Sequence, residues 1–338
     1  MDSLTQIVLG GAVGELVAGK KLGNRAVLWG AVAGTIPDLD VFLRAFYHPI
    51  EAALVHRGFS HSLLFAVLVS PILGWIFNRI SKSHHGFWLW THLFFWGIVT
   101  HPILDMFTNY GTQFFWPLDA RITFNSVFVI DPLYTLPFMG LLIWAMRLDR
   151  SSKKRRRVNA VGLIYSTSYL LVGLLIKWYV WSHTVSYMKE HHPEVKRIMV
   201  TPMPFTSFYW YILAETDNEF IVAYRSIFNR EMDEKPRVIN RGALRIDSLR
   251  WQGRSQNQNL HLVTNDYCWL KNRGDTLWAY DLRFGFTGKF TDMRIDQPLM
   301  GYQMVLRNEL IVGSKSFRGV DWEAVDFKTY LKYVLGLR

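Results

Sequence analysis

HRGFSHSLLFAVLVSPILGWIF, residues 56–77, places two histidines, an arginine and two serines directly before a long apolar run. A helix that crosses a bilayer needs about 20 apolar residues. Ionisable groups at membrane depth are costly, so they tend to pair or to serve a site. The stretch therefore predicts a membrane helix with chemically active residues gathered at one of its ends.

Similar apolar segments recur along the first half of the chain. Glu15 interrupts the first block, which favours a half-buried or re-entrant helix there, and Pro37 interrupts the second. The last two blocks are long enough to cross a bilayer. We expect an α-helical membrane domain over 1–183, with about five to six hydrophobic helices near 4–19, 26–46, 61–78, 87–108, 127–146 and 159–182.

The pattern of residue types changes after about residue 183. FYWYILAETDNEFIVAYRSIF and DTLWAYDLRFG mix aromatic and β-branched residues with polar ones, and Gly, Asn and Asp punctuate them. This pattern is typical of short strands joined by turns. We expect residues 184–338 to form a soluble, β-rich (α+β) domain with a helix near 322–335.

Positive charge is concentrated in three short clusters, 20–25, 79–85 and 147–157, and contributes to a formal net charge of +11. Lys and Arg clusters beside membrane spans set orientation or contact anionic lipid. This interpretation disfavours a nucleic-acid partner and places all three clusters on the cytoplasmic side. The C-terminal domain is then expected outside. Cys268 is the only cysteine, which excludes an internal disulfide and a zinc-finger set.

Polar motifs fall at the opposite, outer ends of the predicted helices. GTIPDLD (34–40) ends one helix and HRGFSHS (56–62) begins the next, while THPILDMFTNYGTQ (100–113) and FNSVFVIDP (124–132) end and begin later ones. Scattered polar residues would not sort to one side in this way, so the pattern indicates a shared site.

The residue types in these motifs suit a divalent metal ion. Asp38 and Asp40 are spaced by one residue, His56 and His61 by five, and His101 and Asp105 by four, which places the last pair on one helix face. Imidazole nitrogen and carboxylate oxygen are ligands of zinc, manganese and iron. Zinc is the first expectation. Each pair also has a simpler interpretation, as a turn after Pro37, as interfacial histidines, or as a histidine at a helix end.

Other polar residues of the same motifs are weaker candidates. Arg57 suits a phosphate or carboxylate, which guanidinium groups bind through two parallel hydrogen bonds. It could equally extend to lipid headgroups. Asp131 could orient a ligating histidine or make a turn before Pro132. The remaining candidates are Ser60, Asn109, Gln113 and Asn125.

MDSLTQIVLGGAVGE, GTIPDLD, HRGFSHS and THPILDMFTNYGTQ together resemble the YdjM-type membrane-bound metal-dependent hydrolases, over about residues 1–180. The resemblance implies a bacterial inner-membrane protein with its metal held by a set of carboxylates and imidazoles: Asp38, Asp40, His56, His61, His101 and Asp105. Many members carry Thr-His near the N-terminus, where this chain has Thr5-Gln6. Gln6 is expected either to reduce the ligand set or to contact substrate or water.

The expected position of the site at the membrane surface and its ligand types favour a metal-dependent hydrolase that cleaves a phosphoester of a lipid or lipid-linked small molecule. Asp38, Asp40, Arg57 and Asp105 are the expected catalytic residues. The alternative is a non-catalytic membrane protein with a structural metal, whose C-terminal domain binds an envelope partner. The sequence indicates no particular oligomeric state.

Overall fold

A computed structural model describes residues 1–81, 85–229, 236–286, 298–319 and 326–337. It divides into two compact units. The first comprises Met1–Phe42, Val55–Leu175 and Pro204–Thr206, and the second Leu43–Leu54, Ile176–Met203 and Ser207–Arg338. The main change of unit thus falls at 175/176, whereas the sequence led us to expect a boundary at 183/184. The second unit also takes in the short segment between the PDLD and HRGFSHS motifs.

The first unit is helical. Several helix starts carry an Asp or Ser side chain that accepts a backbone N–H, which satisfies donors left free in the first turn: Asp2 accepts from Thr5, Ser62 from Phe65 and Asp131 from Leu133. The helices are α1 (Ser3–Leu22), α2 (Asn24–Thr35), a 3₁₀ helix (Pro37–Phe46), α3 (Pro49–Val55), a second 3₁₀ helix (Phe59–His61), α4 (Leu63–Ile80), α5 (Phe87–Asp105), α6 (Pro132–Met146) and α7 (Lys153–His191). Of these, the last part of the first 3₁₀ helix, α3 and the C-terminal part of α7 belong to the second unit.

Glycines bring α1 and α2 into backbone contact. A Cβ on Gly14 would lie 2.2 Å from the carbonyl oxygen of Ala26, and one on Gly30 would lie 2.3 Å from that of Gly10. Small residues permit such close helix approach in membrane proteins. The two helices therefore act as one rigid pair, and the PDLD motif follows directly from its end.

Three helical segments meet the length and hydropathy of a membrane span within the described residues: Asn24–Phe46, Leu63–Ile80 and Lys153–His191. They match the predictions at 26–46, 61–78 and 159–182. The expected count of five to six spans is not confirmed. The helix at Pro132–Met146 is apolar but shorter, and α1 and α5 are helices that fall outside this set.

The second unit contains two four-stranded antiparallel sheets, each a simple meander. In the first sheet Tyr211 pairs with Thr201 on one neighbouring strand and with Tyr224 on the other. The first sheet comprises β1 (Arg197–Pro202), β2 (Tyr209–Glu215), β3 (Glu219–Ser226) and β4 (Arg237–Asn240), and the second β5 (Cys268–Arg273), β6 (Thr276–Asp281), β7 (Met300–Arg307) and β8 (Leu310–Arg318). This confirms the prediction of a β-rich C-terminal domain.

Two helices accompany the sheets, α8 (Asn257–Thr264) and α9 (Phe327–Val334). The second of these lies in the helix predicted near 322–335, whose first residues fall outside the described ones. Aromatic side chains from both sheets, including Tyr211 and Tyr280, share one buried cluster with Tyr330 of α9. Ile50 of α3 is fully buried in another cluster beside Leu270, so α3 is part of this core.

Cys268 lies at the start of β5 and is 6% exposed. Burial raises the pKa of its thiol, because the thiolate would lose its hydration. We expect the native thiol to resist maleimide, and to react once the C-terminal domain unfolds. Maleimide labelling of the purified protein with and without denaturant measures this. Rapid labelling of the native protein would contradict the buried placement.

A candidate metal centre

Asp38, His61 and His101 converge on one point in the first unit, although more than 60 residues separate the first from the last. Pro37 cannot donate to the hydrogen-bond ladder of α2, and Asp38 follows it in the first turn of the 3₁₀ helix. His61 ends the short 3₁₀ helix of the HRGFSHS motif, and His101 lies in the last part of α5. Each ligand therefore comes from the end of a helix, as the sequence predicted.

The three ligand atoms form a nearly equilateral triangle. His61 Nε2 and His101 Nε2 are 3.2 Å apart, and each lies 3.4 Å from Asp38 Oδ1. Zinc bonds of about 2.0–2.1 Å in a tetrahedron give ligand–ligand edges of about 3.3 Å. The triangle consequently has the size of one face of a tetrahedral zinc site.

The second nitrogen of His101 is compatible with metal binding through Nε2. Its Nδ1 lies 2.6 Å from the carbonyl oxygen of Gly34. A carbonyl only accepts hydrogen bonds, so Nδ1 carries the proton, and in the neutral ring Nε2 then presents its lone pair. Gly34 ends the close α1–α2 pair, and its carbonyl was not foreseen from the sequence, which does not show backbone acceptors.

His61 is oriented in a similar way. Its Nδ1 lies 3.4 Å from Asp40 Oδ2 and 3.0 Å from Ser60 Oγ. A carboxylate behind a ligating histidine fixes the tautomer and makes the ring a stronger ligand. Asp40 thus stands behind His61, while Asp38 stands beside it in the triangle. Asp38 and Asp40, which are spaced by one residue, therefore occupy different positions relative to the site.

Asp40 also organises the HRGFSHS loop. It accepts from His56 Nδ1 at 2.6 Å, from Ser60 Oγ at 2.5 Å and from the backbone N–H of Arg57 at 3.2 Å. The structure therefore pairs His56 with Asp40 and not with the triangle. Direct ligation by His56 and Asp40 stays a prediction that this geometry does not support.

Asp105 lies next to the two histidine nitrogens of the triangle, and its direct ligation of the metal stays a prediction. Its Oδ2 is 3.8 Å from both Nε2 atoms and 3.0 Å from Arg57 Nη2. Its Oδ1 accepts from Gln6 Nε2 at 2.9 Å and from the amino group of Met1. Gln6 thus contacts a carboxylate beside the triangle, and the expectation that it reduces the ligand set or contacts substrate or water stays a prediction.

Polar atoms around the triangle bear on whether the site suits a cation. Asp105 Oδ2 is buried and forms an ion pair with Arg57 Nη2 at 3.0 Å, and among the described residues Gln6 Oε1 is buried and accepts no hydrogen bond. Buried acceptors are normally satisfied by protein or by an ordered water or ion. The carboxylate oxygen of Asp38 and the two imidazole nitrogens are a donor set that suits a divalent metal ion.

Arg57 is held rigidly beside the site. Its backbone φ is +67°, a left-handed conformation that costs about 1–3 kcal/mol for a residue with a side chain. The guanidinium is buried, donates to Thr108 Oγ1 at 3.1 Å and lies 4.8 Å from the centre of the Tyr110 ring. The HRGFSHS loop thus points a fixed positive charge at Asp105.

The weaker candidates have separate roles. Asp131 caps α6, accepting from the backbone of Leu133 and Tyr134, and also accepts from Tyr169; its expected role in orienting a ligating histidine stays a prediction. Asn125 accepts from Thr123. The backbone N–H of Gln113 donates to the Arg57 carbonyl at 3.0 Å, which ties the loop after α5 to the HRGFSHS motif.

Asp40→Asn tests the arrangement behind His61. We expect it to weaken zinc binding by about 10–100-fold without abolishing it, because changes behind a ligating histidine have that effect. Competition against a chromogenic chelator measures the affinity. Complete loss of metal would instead place Asp40 among the ligands.

Comparisons with known proteins agree with the membrane setting. Over 239 residues the chain is 26% identical to the uncharacterized protein YfhP of Bacillus subtilis (strain 168). The matched region covers 66% of this chain and 67% of that protein. Over 169 residues it is 27% identical to the inner membrane protein YdjM of Escherichia coli (strain K12), covering 45% of this chain and 78% of that protein. No solved structure matches.

The family model described as YdjM inner membrane protein matches residues 1–181, more than half of the 338 residues, and includes every residue of the metal triangle. The apolar helices and the names of the relatives agree on a membrane protein. The chain belongs to the YdjM inner membrane protein family.

Proposed function

We propose that this protein is a metal-dependent hydrolase that cleaves a phosphoester of a lipid or lipid-linked molecule at the membrane surface. The observation that carries this proposal is the triangle of Asp38, His61 and His101, with edges of 3.2–3.4 Å. When bound there, a divalent cation would supply Lewis-acid activation of water and of a phosphoryl oxygen.

The chain's own residues supply the remaining parts. Asp105 Oδ2 lies 3.8 Å from the Nε2 atoms of His61 and His101, so it is placed to take the proton of an attacking water. Arg57 neutralises this carboxylate and brings positive charge to the side where a phosphoryl group gains negative charge. Gln6 holds the other oxygen of Asp105.

Access to the centre comes from the side of Asp38. Its side chain is 31% exposed, whereas those of His61 and His101 are completely buried. A substrate therefore reaches the metal past Asp38, and the histidines keep bulk water away from the opposite side. This half-open geometry resembles catalytic sites, which leave one position to water or substrate, more than closed structural ones.

The direction of the site relative to the membrane rests on charge. The basic clusters at 20–25, 79–85 and 147–157 favour the cytoplasmic side. Of the second cluster, the structure describes residues 79–81 and 85. With that orientation, the metal centre and the C-terminal domain lie at the outer face of the inner membrane.

Asp105→Asn separates catalysis from metal binding. We expect the variant to keep its metal through the triangle and to lose about 100-fold or more of its phosphodiester turnover, as when a general base is removed. Elemental analysis and hydrolysis of bis(p-nitrophenyl) phosphate or phospholipid measure the two properties. His261→Ala, in the C-terminal domain, is the matched control.

The outcome of the wild-type assay decides between the two functions. Bound metal together with no turnover on a panel of phosphoesters would contradict the hydrolase. It would favour a structural ion and a C-terminal domain that binds an envelope partner. Deletion of the C-terminal domain would then abolish capture of that partner.

A further inference from the structure

The loop that follows α5 carries an exposed apolar tip. Phe115, Trp116 and Leu118 are 52%, 38% and 64% exposed, and every residue from 115 to 120 is exposed. The loop lies outside all the membrane spans predicted from the sequence and outside the candidate spans of the described residues. Clustered large apolar side chains on a surface mark an interaction site.

Hydrogen bonds hold the backbone of this loop in a defined conformation. An antiparallel bridge between Thr112 and Ile122 closes its base, with N–H to O distances of 3.1 and 2.9 Å. Within the tip, Trp116 N–H donates to Gln113 and Leu118 N–H donates to Phe115. These bonds satisfy two of the backbone N–H groups of the tip internally, which lowers the cost of moving the tip into a medium poor in water.

The position of the loop identifies what covers it. The backbone N–H of Leu63, the first residue of the candidate span Leu63–Ile80, donates to the Phe114 carbonyl at 2.9 Å. The ring of Trp116 packs 4.9 Å from that of Phe59, which is itself 41% exposed. The apolar tip thus continues the surface at the end of a membrane helix, where aromatic rings favour the lipid headgroup level.

We propose that residues 114–118 form a wedge that inserts into the membrane interface beside the metal centre and contacts lipid acyl chains. The wedge and the centre share the HRGFSHS motif: Gln113 N–H donates to the carbonyl of Arg57, whose own N–H donates to Asp40. A substrate with acyl chains reaches the centre laterally, with its headgroup at Asp38. This last step rests on the proposed hydrolase activity, whereas insertion of the wedge does not.

Single-cysteine labelling tests the insertion. Because Cys268 is buried, a nitroxide can be attached selectively to Leu118→Cys in the full chain, reconstituted in nanodiscs of phosphatidylethanolamine and phosphatidylglycerol. Leu68→Cys in α4 and Leu262→Cys in α8 are matched references, since both native side chains are 49% exposed. The unmodified protein measures background labelling.

We expect the ratio of oxygen to nickel-chelate accessibility at position 118 to approach that at position 68. A ratio like that at position 262 would overturn the proposal and leave the tip as a docking surface for a soluble partner. The substrate arm uses Phe115→Ser/Leu118→Ser, which should lower hydrolysis of vesicle phospholipid by about tenfold more than hydrolysis of bis(p-nitrophenyl) phosphate. Equal losses on both substrates would overturn lateral entry. Insertion without any wild-type turnover would leave the wedge established and the hydrolase refuted.

Discussion

We expect His61→Ala and His101→Ala each to abolish metal binding by the purified protein, whereas His56→Ala should retain it. The first two substitutions delete a corner of a triangle whose edges are 3.2–3.4 Å, and two remaining ligands hold a divalent ion poorly. His56 contacts Asp40 and not the triangle, so its loss should weaken binding by about 10–100-fold at most.

Elemental analysis of the detergent-purified proteins, after reconstitution with zinc, manganese or iron, measures this difference. We expect about one equivalent in the wild type and in His56→Ala, and close to none in the two other variants. Loss of metal in His56→Ala would extend the ligand set to the HRGFSHS histidine. A wild type that takes up no metal would refute the centre altogether.

Arg155→Met destabilises the helical unit severely. Arg155 donates to both carboxylate oxygens of Glu15, at 2.5 and 2.6 Å, and both side chains are 2% exposed. Removal of one partner leaves a buried charge uncompensated, which costs about 3–5 kcal/mol. We expect the thermal unfolding midpoint to fall by about 6 °C or more.

Circular dichroism at 222 nm in detergent follows the unfolding. The double variant Glu15→Gln/Arg155→Met should recover most of the loss, because no charge is then stranded. Arg156→Met is the control, since Arg156 is the next residue and is exposed. Equal effects of Arg155→Met and Arg156→Met would show that the pair contributes little.

The candidate metal site shows which features a local sequence pattern can predict and which it cannot. Asp38, His61 and His101 were all predicted as ligands, because imidazoles and carboxylates at helix ends at one membrane depth suit a metal. Their division from Asp40 and His56 was not predictable. Asp38 and Asp40 differ by two positions in one helical turn, and only the placement of His61 between them assigns one to the triangle and one behind it.

The buried ion pair illustrates the same distinction within the helical unit. Glu15 interrupted an apolar block, which led us to expect a half-buried or re-entrant segment there. It lies in a continuous helix that falls outside the candidate membrane spans, with its partner 140 residues away on α7. Arg155 belongs to the basic cluster 147–157, where nothing in the sequence separates it from its exposed neighbours.

The sequence by itself determined the apolar helical half, the β-rich C-terminal half and the residue types of the metal centre. These follow from periodicity, hydropathy and ligand chemistry, which act over a few residues. Tertiary structure alone decided which polar groups meet: Gly34 with His101, Asp40 with His61, Arg57 with Asp105, and Glu15 with Arg155. Such pairings depend on how helices pack across the unit, because a buried polar group is stabilised by whichever partner the packing brings within hydrogen-bond distance.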